Sequence, residues 1–425
     1  MKWILSIICV MLSVASSAQI TLEECFRLAG DNYPLIKRYD LVSKTTNISL
    51  SDINKGWLPK ITVFGQATVQ NDVTEFPEAL SGLLNQMGQE FKGMGHAQYK
   101  AGLEVSQTIW DGGVSKSRRQ IEDARANVAT ASLDVQMYAI RERVQNLYFG
   151  ILLVDEQINQ CHATEELLKA NHSKLQSMLK GGVAMQSDVD MIEAQILTLE
   201  QQTTQAKAIR ESYCRVLELF IGESLEGRFF IKPASDLPSE TTINRPELRL
   251  LDARSKFNSA RLDAIDNTTL PRVGFFGQVY YGYPGFNMFE SMRSRDMSFN
   301  ALAGIKISWN IDSFYTKRNS RDKIALEQSD IDTERDVFLF NNSLLTSSEI
   351  AAIDGLKKVI QDDEKIIELR ARVRKAAESQ LNNGVIDING LLTKITDENI
   401  AQLNARYHEI QLIQSIYKLK YTINR

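Results

Sequence analysis

The side chains that could do chemistry in this chain are few, and their spacing does not favour it. His96, His162, His172 and His408 fall at no metal-ligand spacing, and the adjacent Cys161-His162 pair is too little to hold a zinc ion. Outside the first residues the cysteines are Cys25, Cys161 and Cys214, an odd number with no paired spacing. They read as buried, inert thiols rather than a disulfide framework. No glycine-rich phosphate loop, HExxH or G-x-S-x-G run occurs. Carboxylates are plentiful, but they lie along long helical stretches where their ordinary work is solvation. No catalytic residue, metal site or cofactor is expected, and an enzyme is not.

The bulk composition narrows the class further. Charged residues make up 24% and the formal net charge is −4, so there is no basic footprint for nucleic acid. Only 8 prolines and 23 glycines interrupt 425 residues, which suits long helices. Lys2, an apolar run from Trp3 to Val14 and the small residues Ser16-Ser17-Ala18 read as a secretory signal peptide over 1–18, cut after Ala18. Cys9 lies inside it without a lipobox, so no lipid anchor is expected. No later stretch approaches 18 consecutive apolar residues, so any membrane passage must be made by strands.

The elements that position everything else appear twice. Asn32, Pro34, Asp40, Ser43, Lys44, Leu50, Ile53, Leu58, Pro59, Phe64, Gly65 and Gln66 recur at a constant offset as Asn244, Pro246, Asp252, Ser255, Lys256, Leu262, Ile265, Leu270, Pro271, Phe276, Gly277 and Gln278. Trp110-Asp111 answers Trp309-Asn310, and the Gly-Val pair at 182–183 answers that at 384–385. The layout is therefore a first repeat over 19–221, a linker over 222–243 holding Pro233 and Pro238, and a second repeat over 244–425.

Each repeat reads as helix, strand, loop, strand, then a long helical hairpin. Strands are expected at about 60–70, 99–110, 272–283 and 299–310, each alternating apolar and polar residues. In the second of them Tyr99, Ala101, Leu103 and Val105 oppose Lys100, Glu104, Ser106 and Thr108. Such alternation fits a transmembrane barrel strand and a half-buried soluble sheet equally well. The helices decide between them. From Ser115 to Leu179 apolar residues step by three and four with no proline, and Lys317 to Leu381 repeats the pattern with Ile324, Ile331, Phe338, Leu345 and Val359 at multiples of seven. Some 65 residues of helix would reach roughly 100 Å. No compact globule needs that, and four strands cannot close a membrane barrel alone, so several chains must share one.

This ordered set, with its two Leu-Pro strand starts, the Trp-Asp-Gly-Gly turn at 110–113 and the Gly-Val tips, resembles the TolC-type outer-membrane efflux proteins over essentially the whole mature chain. The resemblance implies a mainly α fold with β: four strands per chain in a shared trimeric 12-stranded barrel, continued by a coiled-coil α-helical tunnel in the periplasm. It further implies a homotrimer in outer-membrane lipid, working with a periplasmic adaptor (membrane fusion) protein and an inner-membrane transporter, in tripartite efflux or type I secretion. In that family the hairpin tips gather at the entrance, close it and meet the adaptor. The candidate gating and adaptor residues here are Gly182, Val183, Met185 and Asp188, and Gly384, Val385, Ile386 and Asp387. Ser187 or Asp188 should cap the helix leaving the first tip, and the apolar tip residues have no obvious core to enter. Asp188 falls where the family has a Thr-Asp-Val-like run, whereas the acidic positions of the second tip are Gly390 and Thr393 here. Arg370, Arg372 and Arg374 either form a solvated face or lock neighbouring hairpins through Asp188 or Asp190. Lys100, Glu104, Ser106, Thr108, Lys306 and Ser308 are the expected lumen residues of the barrel. A periplasmic coiled-coil scaffold and a stand-alone porin remain as alternatives, and the exported cargo is not legible.

Overall fold

The computed structural model describes residues 19–88, 90–238 and 242–424; the signal-peptide reading of 1–18 lies outside them. The protein is mainly helical with a few strands. In chain order come β1 (Gln19–Ile20), α1 (Leu22–Asn32), a 3-10 turn at Pro34–Ile36, α2 (Lys37–Lys55), β2 (Lys60–Val69), α3 (Glu78–Gln86) and β3 (Ala97–Trp110). Next are α4 (Val114–Lys180), α5 (Gln186–Ile221), β4 (Phe229–Phe230), α6 (Pro246–Thr268), β5 (Arg272–Tyr283), α7 (Met288–Ser294), β6 (Ser298–Ser308), α8 (Ser313–Asn382) and α9 (Ile388–Ile423). The chain divides into two compact units, one made of the residues up to Leu41, Thr130–Leu251 and Thr333 onward, the other of Val42–Ala129 and Asp252–Asp332.

In the first unit, the hydroxyl oxygen of Thr21 caps α1 by accepting the Glu24 N–H at 3.2 Å. The buried face of α1, Leu22, Cys25 and Ala29, enters a core with Val144, Tyr148, Phe149 and Ile151 of α4, Leu217 and Ile221 of α5, and Ile410 and Tyr417 of α9. Burial of side chains this large stabilises by about 1.5–3 kcal/mol each. The Tyr148 hydroxyl, fully buried, donates to the carbonyl of Ile20 at 2.9 Å or of Ile231 at 2.7 Å, and accepts the Ile231 N–H at 3.1 Å. It thereby pins the short parallel ladder of β1 and β4. β4 lies inside the segment 222–243 expected as a linker. The Cys25 thiol is pushed up to about 12 by burial and by Glu24 beside it, so it stays protonated and unreactive, as read from the sequence.

A second core nearer the tips joins both hairpins: Cys161, Leu168, Leu175, Val189 and Ile192 pack with Ala377, Ile388, Leu391 and Ile395. The three-and-four spacing of each helix thus closes onto the other hairpin of the same chain.

In the second unit, β2, β3, β5 and β6 form one antiparallel sheet in that order, leaving β2 and β6 as edges. The register puts Lys60 opposite Ser106, Glu104 opposite Gln278 and Gly274 opposite Lys306. A bulge between Thr108 and Trp110 shifts the register before the last β3–β5 pair, Trp110 with Val273, and the chain then turns into α4. That turn rests on Asp111, whose carboxylate accepts the N–H of Gly113 at 2.9 Å and of Ser115 at 2.6 Å. Burial opposes ionisation of Asp111, but these Ser115 and Gly113 donors outweigh it and hold the carboxyl below its usual range. Asp111, not Ser115, is thus the acceptor that starts the helix, and Ser115 is a donor to it. Gly112 must be glycine, because φ is +70° and a Cβ there would sit 2.9 Å from that of Leu270.

Candidate functional site: hairpin tips and sheet face

The two tips are built alike. At the first, α4 ends in Gly182 at φ +73°, whose N–H donates to the Leu179 carbonyl at 3.0 Å while the Val183 N–H donates to the Met178 carbonyl at 2.9 Å. At the second, Gly384 at φ +70° donates to Leu381 at 3.0 Å and Val385 to Gln380 at 2.8 Å. This paired pattern satisfies the last orphan carbonyls of each helix and needs a left-handed residue, which glycine adopts without a Cβ penalty.

The helices leaving the tips start differently. Asp387 caps α9, its carboxylate accepting the Gly390 N–H at 2.8 Å. At the first tip the cap position is Met185, and Asp188, three residues on, reaches back to accept the Met185 N–H at 2.9 Å. This corrects the expectation of Ser187 or Asp188 as the cap: α5 begins a turn earlier because an N3 carboxylate braces the backbone in place of a capping side chain.

Val183, Met185 and Val385 are 74%, 72% and 69% exposed. Ile386 is not free like them. It packs against the core of Ile388, Leu391 and their neighbours, which corrects its placement among the tip residues without a core. The three arginines find partners inside their own hairpin. Arg370 pairs with Asp397 at 2.9 Å, Arg372 with Glu368 at 3.8 Å, and Arg374 with both Glu378 and Glu398. None reaches Asp188 or Asp190 within the chain; Asp190 instead accepts from Gln186 at 2.7 Å. Asp397 and Glu398 were missed by sequence reasoning, since only the antiparallel register of α8 and α9 brings them opposite the arginines.

On the sheet, register sorts every side chain to one of two faces. Lys100, Glu104, Ser106, Thr108, Lys306 and Ser308 share a face with Lys60, Thr62, Gln66 and Gln278. The opposite face carries Ile61, Val63, Val69, Tyr99, Leu103, Val105, Phe275, Val279, Tyr281, Phe299, Ile305 and Ile307, with no charged residue among the paired positions. It is open: Val63 is 78% and Ile305 69% exposed. Aromatic residues stand near its ends, with Tyr99, Tyr281 and Phe299 at one and Trp110 and Trp309 at the other.

Among the described residues no group of histidine, cysteine and carboxylates could hold a metal ion, and no helix is long and apolar enough to cross a membrane.

No protein-family model matches the chain, and no curated protein does. Solved structures do. The CmeC outer membrane channel of Campylobacter jejuni covers 95% of this chain and 85% of its own at 14% identity, with a TM-score of 0.64. The outer membrane protein VceC of Vibrio cholerae aligns over 95% of each chain at 11% identity and 0.66. The open state of the MtrE outer membrane channel of Neisseria gonorrhoeae covers 95% and 88% at 16% identity and 0.63. At these identities the likeness is one of fold: the chain resembles TolC-type outer-membrane channels, and these neighbours are channels rather than enzymes.

Proposed function

We propose that this chain is one subunit of a homotrimeric outer-membrane export duct, delivered by a cleaved signal peptide and built from two tandem structural repeats. The observation that carries the reading is the sheet: one face exposed, uncharged and apolar but for Gln107, the other carrying every charged residue of the paired positions, and both edge strands unpaired among the described residues. An apolar face suits lipid, but open strand edges do not survive there. Three copies laid edge to edge would join β2 of each to β6 of the next, closing twelve strands around the polar face.

The hairpins then form the periplasmic tunnel. Val183, Met185 and Val385 meet a periplasmic adaptor, and the duct receives cargo from an inner-membrane transporter of a tripartite efflux or type I secretion system. Gating is an untwisting of the hairpins about the Gly182 and Gly384 turns, with Asp188 and Asp387 holding the helix starts. Arg370, Arg372 and Arg374, whose partners lie within the chain, brace each hairpin; any contact with Asp188 or Asp190 of a neighbouring copy would add to that. No residue is asked to do chemistry.

The test is fractionation and cross-linking of the full chain, followed by planar-bilayer recording. The expected result is a trimer in the outer-membrane fraction that conducts, and that cross-links to an adaptor from Val183 or Val385. A chain recovered as soluble protein, or a monomer in detergent, overturns the reading. A conducting trimer with no adaptor contact leaves a porin.

A further inference from the structure

The polar face of the sheet is not evenly polar. Toward the end where the strands join the helices, a cavity of about 730 Å³ is lined by Lys60, Arg118, Arg272 and Lys306, together with Ser106 and Glu104. None of these four cations makes an ion pair or a side-chain hydrogen bond among the described residues. The other carboxylates nearby are already committed. Asp52 pairs with Lys55 at 3.6 Å, and Asp111 is held by the N–H groups of Gly113 and Ser115. The lining thus carries four cations against three carboxylates, Glu104, Asp52 and Asp111, and Asp52 is already paired with Lys55 outside it, so positive charge is in excess.

Their placement is ordered by the register. Arg272 lies opposite Ser308 on the neighbouring strand, which sets Lys306, two residues earlier, as its diagonal same-face neighbour. Like charges so placed repel, and an anion between them would relieve that repulsion. Lys60 and Arg272 each follow directly on a Leu-Pro pair, Leu58-Pro59 and Leu270-Pro271, so a cation stands at the same step of both halves. Blunting of an open sheet edge explains a lysine on β2, but not an arginine on the inner strand β5.

We infer that these residues form a basic collar that makes the duct prefer anionic solutes, those bearing carboxylate, phosphate or sulfonate groups, at the helix-side end of its strands. The inference rests on the proposed trimeric duct, in which three copies would turn the collar into a ring around the lumen. A concave wall lined by one sign of charge raises the local concentration of the opposite ion and its rate of passage.

The experiment has two arms, both on the full chain. In a planar bilayer under a tenfold KCl gradient, the wild-type reversal potential should lie on the chloride side. The K60E/R272E/K306E variant should move it to the potassium side. In detergent, a trisulfonated pyrene dye should bind the wild type and lose at least tenfold in affinity in the same variant, while a cationic dye gains. Thr68→Glu, on the same face at the far end of β2 from Lys60, controls for an added charge alone. A cation-preferring wild type, or equal dye binding by wild type and variant, overturns the collar. Absence of any conductance counts against the duct, and the dye arm then decides the collar by itself. If the triple variant fails to fold, R272Q and K306Q singly carry the same comparison at smaller amplitude.

Discussion

Arg374 and Glu398 show how far a single pair can matter near a tip. Their side chains are 14% and 10% exposed, so each charge has left most of its water and depends on the other. Arg374 keeps Glu378 if Glu398 is lost, but removing Arg374 strands the Glu398 carboxylate, which costs about 3 kcal/mol for a well-buried pair. Arg374→Gln should therefore lower the unfolding free energy by about 3 kcal/mol in denaturant titration. Arg372→Gln, at a 66% exposed side chain 3.8 Å from Glu368, should change it by less than ~0.5 kcal/mol. Equal effects would mean that the two pairs are equally solvated. The run of three arginines was plain in the sequence, but their roles were not. Alternate positions on one helix point to different sides, and only the returning helix says which side is covered.

At the scale of elements, the strands were legible because alternation is a local property and a sheet face follows from parity. Parity does not say which face meets lipid. In the proposed duct the exposed apolar face is the one that meets lipid, and this can be tested on two adjacent residues of one strand. Val63→Arg, on the apolar face, should lower folding stability in bilayers by about 2–4 kcal/mol, while Thr62→Arg on the polar face should be nearly neutral. Refolding titrations into lipid vesicles distinguish them, and equal costs would remove the assignment of faces. The tips were legible for the same local reason, since a glycine after a long apolar period marks a helix end. Ile386 was misread because its core comes from Ile388 and Leu391 beyond the turn, a contact that spacing within one helix does not show.

For the whole molecule, the decisive features are surfaces that one copy leaves open. Beyond the two sheet edges, α8 exposes Val337, Phe340, Leu344, Leu345 and Val359, with Phe340 63% exposed. Ile324 and Ile331 of the same sevenfold series are buried within the chain, whereas Leu345 and Val359 are not. An apolar stripe of this length suits packing against a second copy. The double substitution L345E/V359E should shift the detergent-solubilised protein from trimer to monomer in analytical ultracentrifugation, with helical circular dichroism unchanged. A trimer that persists places the subunit contact elsewhere.

The sequence by itself determined what short range can determine: a mainly helical chain with a few strands, helices of great length, glycine-marked tips and the parity of each strand. All of these are periods and breaks along one stretch of backbone, and they were enough for the family resemblance that the fold bears out. Tertiary structure decided the partners of Arg370 and Arg374, the packing of Ile386, the Tyr148 pin on β1 and β4, and the gathering of Lys60, Arg118, Arg272 and Lys306. Each of these joins residues far apart in the chain, and their meeting depends on a register between strands or helices that no single segment encodes.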